Sequence, residues 1–318
     1  MSLSPYPDFY IIGAAKCGTT ALYEYLSRHP SVFMPKLKEP HFFARDFPSY
    51  GKIHTAEEYL ALFSGTPPGA IVGEGSVWYL YSQVAVQEII RVRPDAKFIV
   101  MLRNPVEVAQ SLHAQQLVGF VEDIVGFESA WRMQDRRARG EAIPLHCSEP
   151  AHLLYGKICR FSEQLDRLFQ AVPKNQVLVL IYESFFADVS AQYRDVLQFL
   201  GVSLHDGVPF DRINASQLPA NLAMHRLISR PPPILQPAFI LLRGLSRRLG
   251  LRFGVLSQVL ANVRPAQRPA IPDALERELR DYFAPDIIRL EKVIGQPLDI
   301  WRSPDRSQPK ATIPASAV

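Results

Sequence analysis

Four short apolar runs constrain this chain more than anything else in it. They are Phe9-Tyr10-Ile11-Ile12, Ala70-Ile71-Val72, Lys97-Phe98-Ile99-Val100-Met101-Leu102 and Val177-Leu178-Val179-Leu180-Ile181-Tyr182. None alternates polar with apolar residues. A strand covered on both faces has no need of a polar face, so unbroken runs of β-branched residues and leucine predict parallel strands buried between helices. Helical patterns separate the runs, the first from about Thr19 to Arg28 and the last from Asp273 to about Ile294. This alternation predicts an α/β fold, a doubly wound sheet with right-handed crossovers. Strand order is not readable from the runs.

At 318 residues the chain can bury one large core, and we expect a single domain over residues 1–302. A formal charge of +4 is too small over this length to mark a nucleic-acid-binding protein. Cys17, Cys147 and Cys159 are odd in number and lack zinc spacing, which predicts reduced thiols and a cytoplasmic protein. The N-terminus carries neither a basic nor an apolar leader region. No apolar stretch approaches the roughly 18 residues that mark a membrane span. Residues 303–318, rich in Ser, Pro and Ala, read as a disordered tail.

One region stands apart. From Arg212 to Pro272 there are nine arginines and no Asp or Glu. Pro231-Pro232-Pro233 is followed by an apolar, helix-like stretch from Phe239 to Leu260 with arginines at i,i+4 spacing. We read 212–272 as a basic helical insertion, a lid whose apolar face meets a greasy acceptor or a membrane surface. Pairing of these arginines with carboxylates elsewhere in the fold is the alternative.

Four constellations carry chemistry. Gly13-Ala14-Ala15-Lys16-Cys17-Gly18-Thr19-Thr20 follows the first strand and opens a helix. Such a turn presents unpaired backbone N–H groups and the positive end of the helix dipole to an anion. Lys16 adds a charge, and Thr19 and Thr20 add hydroxyls. It is not the nucleotide-triphosphatase loop, because Gly18 is followed by Thr19 and the lysine precedes the glycine. Arg103-Asn104-Pro105 ends the third run, where open α/β sheets bind ligands. Pro105 suits a first helical turn, so Ser111 lies about two turns on and can join Arg103 on one anion. Lys38-Glu39-Pro40-His41-Phe42-Phe43 offers Glu39 as a base, with His41 on the same side of an extended segment. A solvated Lys-Glu pair beside a buried Phe-Phe is the other reading there. Glu74, after the second run, is a second candidate base or a strand-end carboxylate holding a loop.

These residues resemble the family of PAPS-dependent sulfotransferases, which use 3′-phosphoadenosine 5′-phosphosulfate as donor. Gly13–Thr20 is similar to the family's 5′-phosphosulfate loop, and the run to Phe43 resembles the heparan-sulfate-type and bacterial branches. Arg103 followed eight residues later by Ser111 resembles the 3′-phosphate motif, and the likeness covers about residues 8–300. It implies a P-loop-like fold with a five-strand parallel sheet. PAPS would be held by Lys16, Cys17, Gly18, Thr19 and Thr20 at the phosphosulfate, by Arg103 and Ser111 at the 3′ phosphate, and by Tyr182 near adenine. Glu39 takes the role of catalytic base and Lys16 neutralises the departing phosphate oxygen. No metal is implied. The acceptor is a hydroxyl or amine of a small molecule, glycan or lipid. Relatives often carry a lysine after the counterpart of Glu74, where this chain has Gly75; Lys38 or an arginine of the insertion would replace it. Two rival functions remain at this point, a kinase-like phosphoryl transferase using the same loop and an anionic-lipid-binding module built on the arginines.

Overall fold

A computed structural model of the chain describes residues 6–47, 49, 53–205, 207–211, 217–219, 263–265 and 270–302. Five parallel strands, β1 (Phe9–Gly13), β2 (Val32–Phe33), β3 (Ile71–Gly75), β4 (Lys97–Leu102) and β5 (Val177–Ile181), form one sheet in the order β2-β3-β1-β4-β5. Every residue of β1 is buried, as its unbroken apolar run requires of a central strand. Register sets Tyr10 of β1 between Glu74 of β3 and Phe98 of β4. The strand order reverses at β1, and such a reversal opens a crevice beyond the carboxyl ends of the strands.

The helices are α1 (Thr19–Ser27), α2 (Ala56–Ala61), α3 (Ala85–Val92), α4 (Pro105–Val118), α5 (Phe127–Arg132), α6 (Gln134–Ala138), α7 (Tyr155–Ile158), α8 (Phe161–Ala171), α9 (Tyr182–Ala187), α10 (Val189–Leu200) and α11 (Asp273–Ile294). Pro105 takes the first position of α4, where its missing N–H costs nothing, and the Asn104 side chain caps the helix by accepting from Val106 N at 3.1 Å. α11 packs on α8 and α4, and a short 3₁₀ turn, Asp299–Trp301, brings Trp301 back into the core. No helix among the described residues is long and apolar enough to cross a membrane.

The structure corrects several expectations. The second run continues as strand through Gly75, so Glu74 belongs to the sheet rather than to the loop after it. β2 has only two residues, too few for any periodicity to mark it. Tyr182 opens α9 instead of closing β5, because the ladder with β4 ends at the pair Leu102 and Ile181. His113 is buried on α4, where Nε2 lies 2.9 Å from the Ile124 carbonyl. Of the basic segment 212–272, the described residues are the backbone of the antiparallel pair Gln217–Pro219 and Val263–Pro265, together with 270–272. Its apolar stretch Phe239–Leu260 and the tail 303–318 lie outside the described residues.

Candidate active site

The turn after β1 is shaped by what presses on it. Ala14 N donates to the Met101 carbonyl of β4 at 2.8 Å, holding the turn against the sheet. Gly18 caps α1 with φ +90°, and a Cβ there would stand 2.9 Å from Phe186 and 3.0 Å from Tyr182. Only glycine meets both demands. Ala21 N already donates to the Gly18 carbonyl at 3.0 Å, which leaves the backbone N–H groups of Thr19 and Thr20 at the start of α1 to receive an oxyanion. Cys17 is fully buried and its thiol donates to the Ala15 carbonyl at 3.5 Å; burial pushes its pKa up. It packs the turn from inside, so only its backbone could serve a ligand.

Across the crevice, the segment after β2 is pinned to the end of β3. Glu39 N donates to the Gly75 carbonyl at 3.0 Å, His41 N to Ser76 Oγ at 3.1 Å, and Phe43 N to the Tyr79 hydroxyl at 3.3 Å. Glu39 and His41 have φ values of 59° and 52°, so the segment coils through two left-handed residues rather than running extended. The two side chains still meet, with His41 Nε2 at 3.6 Å from Glu39 Oε2. Lys38 Nζ lies 3.0 Å from Glu39 Oε1 and donates to Thr20 Oγ1 at 2.7 Å. One ammonium thus joins the turn after β1 to the carboxylate. Burial would raise the pKa of Glu39, but His41 and Lys38 outweigh it and bring the carboxyl down to about 2.

Glu74 lies beneath this segment with no exposure at all. Tyr79 and Tyr59 donate to its Oε2 at 2.8 and 3.1 Å. Burial, with the Glu39 charge adding to it, raises this carboxyl to about 7 against the pull of Ser76, Tyr79 and Tyr59. Gly75 leaves no room for a side chain: a Cβ would stand 2.8 Å from the Tyr23 ring, above which Lys38 Nζ sits 5.8 Å from the centroid.

On the far side of the turn, Arg103 follows β4, its guanidinium 4.3 Å from the centre of the Tyr182 ring and 3.3 Å from Glu107. Tyr182 therefore touches both Arg103 and Gly18, joining the first two constellations. Asn104 N donates to Glu183 Oε1 at 3.1 Å while the Trp301 indole donates to Glu183 Oε2 at 2.9 Å, so the C-terminal turn braces the β4–α4 junction. Ser111 is buried on α4, and among the described residues no hydrogen bond joins it to Arg103. Lys16, half-buried with φ 66°, stands in the turn itself. Sequence reasoning overlooked Tyr59, whose place against Glu74 depends on a helix packing over the sheet edge, and the Trp78–His152 stack at 3.8 Å.

A family model described as "Sulfotransferase domain" matches residues 6–219 of this chain. The chain belongs to the sulfotransferase family. It is 28% identical over 291 residues to heparan sulfate glucosamine 3-O-sulfotransferase 6 of Homo sapiens, covering 92% of this chain and 72% of that protein. It is 33% identical over 196 residues to heparan sulfate glucosamine 3-O-sulfotransferase 3B1 of Mus musculus, covering 62% of this chain and 46% of that one. The chain thus spans about three quarters of the first relative and under half of the second. A sulfotransferase structure from Alicyclobacillus acidocaldarius superposes with a TM-score of 0.67 at 28% identity, covering 94% of this chain and 99% of that one. The fold is that of the sulfotransferases, and the chain is an enzyme of sulfuryl transfer. Membership in the family sets this activity ahead of the phosphoryl-transfer and lipid-binding readings.

Proposed function

We propose that this sulfotransferase takes PAPS as donor and a hydroxyl or amine of a glycan as acceptor, releasing adenosine 3′,5′-bisphosphate. The observation that carries the reading is Lys38, placed between the Thr20 hydroxyl of the anion-binding turn and the Glu39 carboxylate. A cation there faces the sulfonate on one side and the base on the other. In the transfer the acceptor oxygen or nitrogen attacks sulfur, its proton passes to Glu39, and the bond from sulfur to the donor phosphate oxygen breaks. Lys16 and the first-turn N–H groups of α1 take up the charge left on that oxygen. Arg103, stacked on Tyr182, meets the 3′ phosphate with Ser111. A base works best with a pKa near the working pH. An arriving sulfonate draws Lys38 away from Glu39, so the carboxylate becomes more basic when the donor is in place. The glycan acceptor is supported by relatives whose names specify heparan sulfate glucosamine.

Calorimetry in the presence of a chelator tests the donor half: adenosine 3′,5′-bisphosphate should bind more tightly than 5′-AMP. Equal affinities would remove the 3′-phosphate assignment. Radiolabelled PAPS offered with glucosamine-containing glycans, lipids and phenols tests the acceptor half, and label confined to a non-glycan acceptor would overturn it.

A further inference from the structure

Glu74 is a carboxyl with no exposure, lying under the segment that bears Glu39 and His41, and the transfer step described above does not use it. Four elements bring phenols to it: Tyr10 from β1, Tyr23 from α1, Tyr59 from α2 and Tyr79 from the turn after β3. The Glu39 carboxylate is the other charged group acting on it, and the Ser76 hydroxyl is a further polar neighbour. Such surroundings suit a neutral carboxylic acid, and burial pushes its pKa up to about 7.

One hydrogen-bonded route leads from this carboxyl to the segment above. Tyr79 donates its hydroxyl proton to Glu74 Oε2, and the Tyr79 hydroxyl oxygen accepts from Phe43 N. A hydroxyl has one proton to donate and two lone pairs to accept with, so Tyr79 can serve both neighbours at once. Ser76 Oγ separately accepts from His41 N at 3.1 Å. The segment needs such support, because Glu39 and His41 both hold left-handed backbone, which is unfavourable for residues with a Cβ.

We propose that Glu74 is a positioning residue. It accepts from Tyr79 and Tyr59, and through Tyr79 it holds the coiled segment Glu39–Phe43 at the end of β3. Its work is done as a hydrogen-bond acceptor, not as a proton carrier. The effect on catalysis rests on the reading of Glu39 as the base, whereas the effect on the segment itself does not.

Three variants separate the roles. Glu74→Gln keeps an acceptor oxygen for both tyrosines, Glu74→Leu keeps bulk and removes the acceptor, and Tyr79→Phe deletes one hydroxyl and leaves the carboxyl. Hydrogen-exchange mass spectrometry of peptides covering residues 38–44 reads the segment without requiring activity. Exchange should quicken in Glu74→Leu and Tyr79→Phe and stay near the parent's in Glu74→Gln. Kinetics with PAPS reads the consequence: kcat should fall roughly tenfold to a hundredfold in Glu74→Leu and Tyr79→Phe, each of which loses two buried hydrogen bonds. It should recover to within about threefold in Glu74→Gln, since an acceptor oxygen remains. Affinity for adenosine 3′,5′-bisphosphate should stay near the parent's throughout. If Glu74→Leu does not fold, Tyr79→Phe against Glu74→Gln still decides. Unchanged exchange in Tyr79→Phe, or a Glu74→Gln enzyme as inactive as Glu39→Gln, would overturn the proposal. A parent that neither binds the bisphosphate nor transfers sulfuryl would instead defeat the donor reading and leave the exchange result standing.

Discussion

The ammonium of Lys38 donates to the hydroxyl of Thr20 at 2.7 Å and lies 3.0 Å from the carboxylate of Glu39. Two segments that are 18 residues apart in the chain thereby share one cation at the mouth of the crevice. Under the proposed function, the arrangement ties the acidity of Glu39 to the presence of an anion at the turn after β1.

Replacing Lys38 by methionine should move that acidity in a definite direction. The pKa of Glu39 is depressed to about 2, so the ionised base persists as pH falls until that value is approached. Without Lys38 the acidic limb of kcat/KM, which reports the free enzyme, should shift upward toward the ordinary glutamate value of about 4.3. The turnover number should also drop on the order of 10²-fold, as one charge-stabilising group is lost. A pH–rate profile with an unmoved acidic limb would show that Lys38 does not hold the base.

Glu39→Gln preserves shape and removes the proton acceptor. Turnover should fall on the order of 10²–10⁴-fold with little change in nucleotide affinity. Paired steady-state kinetics and calorimetry check this. A large loss of nucleotide affinity would make Glu39 part of the donor cradle instead.

Arg103→Ala should abolish most of the preference for adenosine 3′,5′-bisphosphate over 5′-AMP. A charge-assisted contact of this kind contributes about 1.5–3 kcal/mol. The guanidinium is already held against Tyr182 and Glu107, so little ordering accompanies binding. Calorimetric titration of both nucleotides against parent and variant gives the difference directly.

Glu74 should leave a mark on stability as well. Its pKa is raised in the fold, from an ordinary 4.5 to about 7, so the folded state binds the proton more tightly than the unfolded chain. Its contribution is then fully present below about pH 4.5 and is lost as pH rises through 7. The difference amounts to something of the order of 3 kcal/mol. Glu74→Gln, which cannot ionise, should lack this decline, so its stability relative to the parent should improve between pH 5 and 8. Denaturant titrations of both proteins at the two pH values would show parallel behaviour if the carboxyl does not titrate there.

Gly75→Lys should destabilise the fold. Its Cβ would meet Tyr23, whose hydroxyl is tied to the Pro35 carbonyl, at 2.8 Å. Overpacking of this kind costs about 1–3 kcal/mol, and thermal unfolding would detect it. An unchanged melting temperature would mean that Tyr23 yields easily.

Four of the five strands, the turn at Gly13–Thr20 and the helix start at Pro105 were legible from residue order alone. The physical reason is local: an unbroken apolar run, a glycine before a helix start and a proline at its first turn each act within one element. Five-strand architecture and sulfuryl transfer were likewise readable, as a family pattern carried by those motifs. What the tertiary structure decided depends on contacts between elements distant in sequence. The order β2-β3-β1-β4-β5 places Glu74 against the central strand, and only the packing of α2 brings Tyr59 onto it. Left-handed backbone at Glu39 and His41 has no signature in residue type, because the hydrogen bonds that hold it come from Gly75, Ser76 and Tyr79. Residue order could present Lys38, Glu39 and Glu74 as three similar chances at chemistry. Burial and partners separate them into a shared cation, a strongly acidic carboxylate and a core carboxyl whose pKa is raised to about 7.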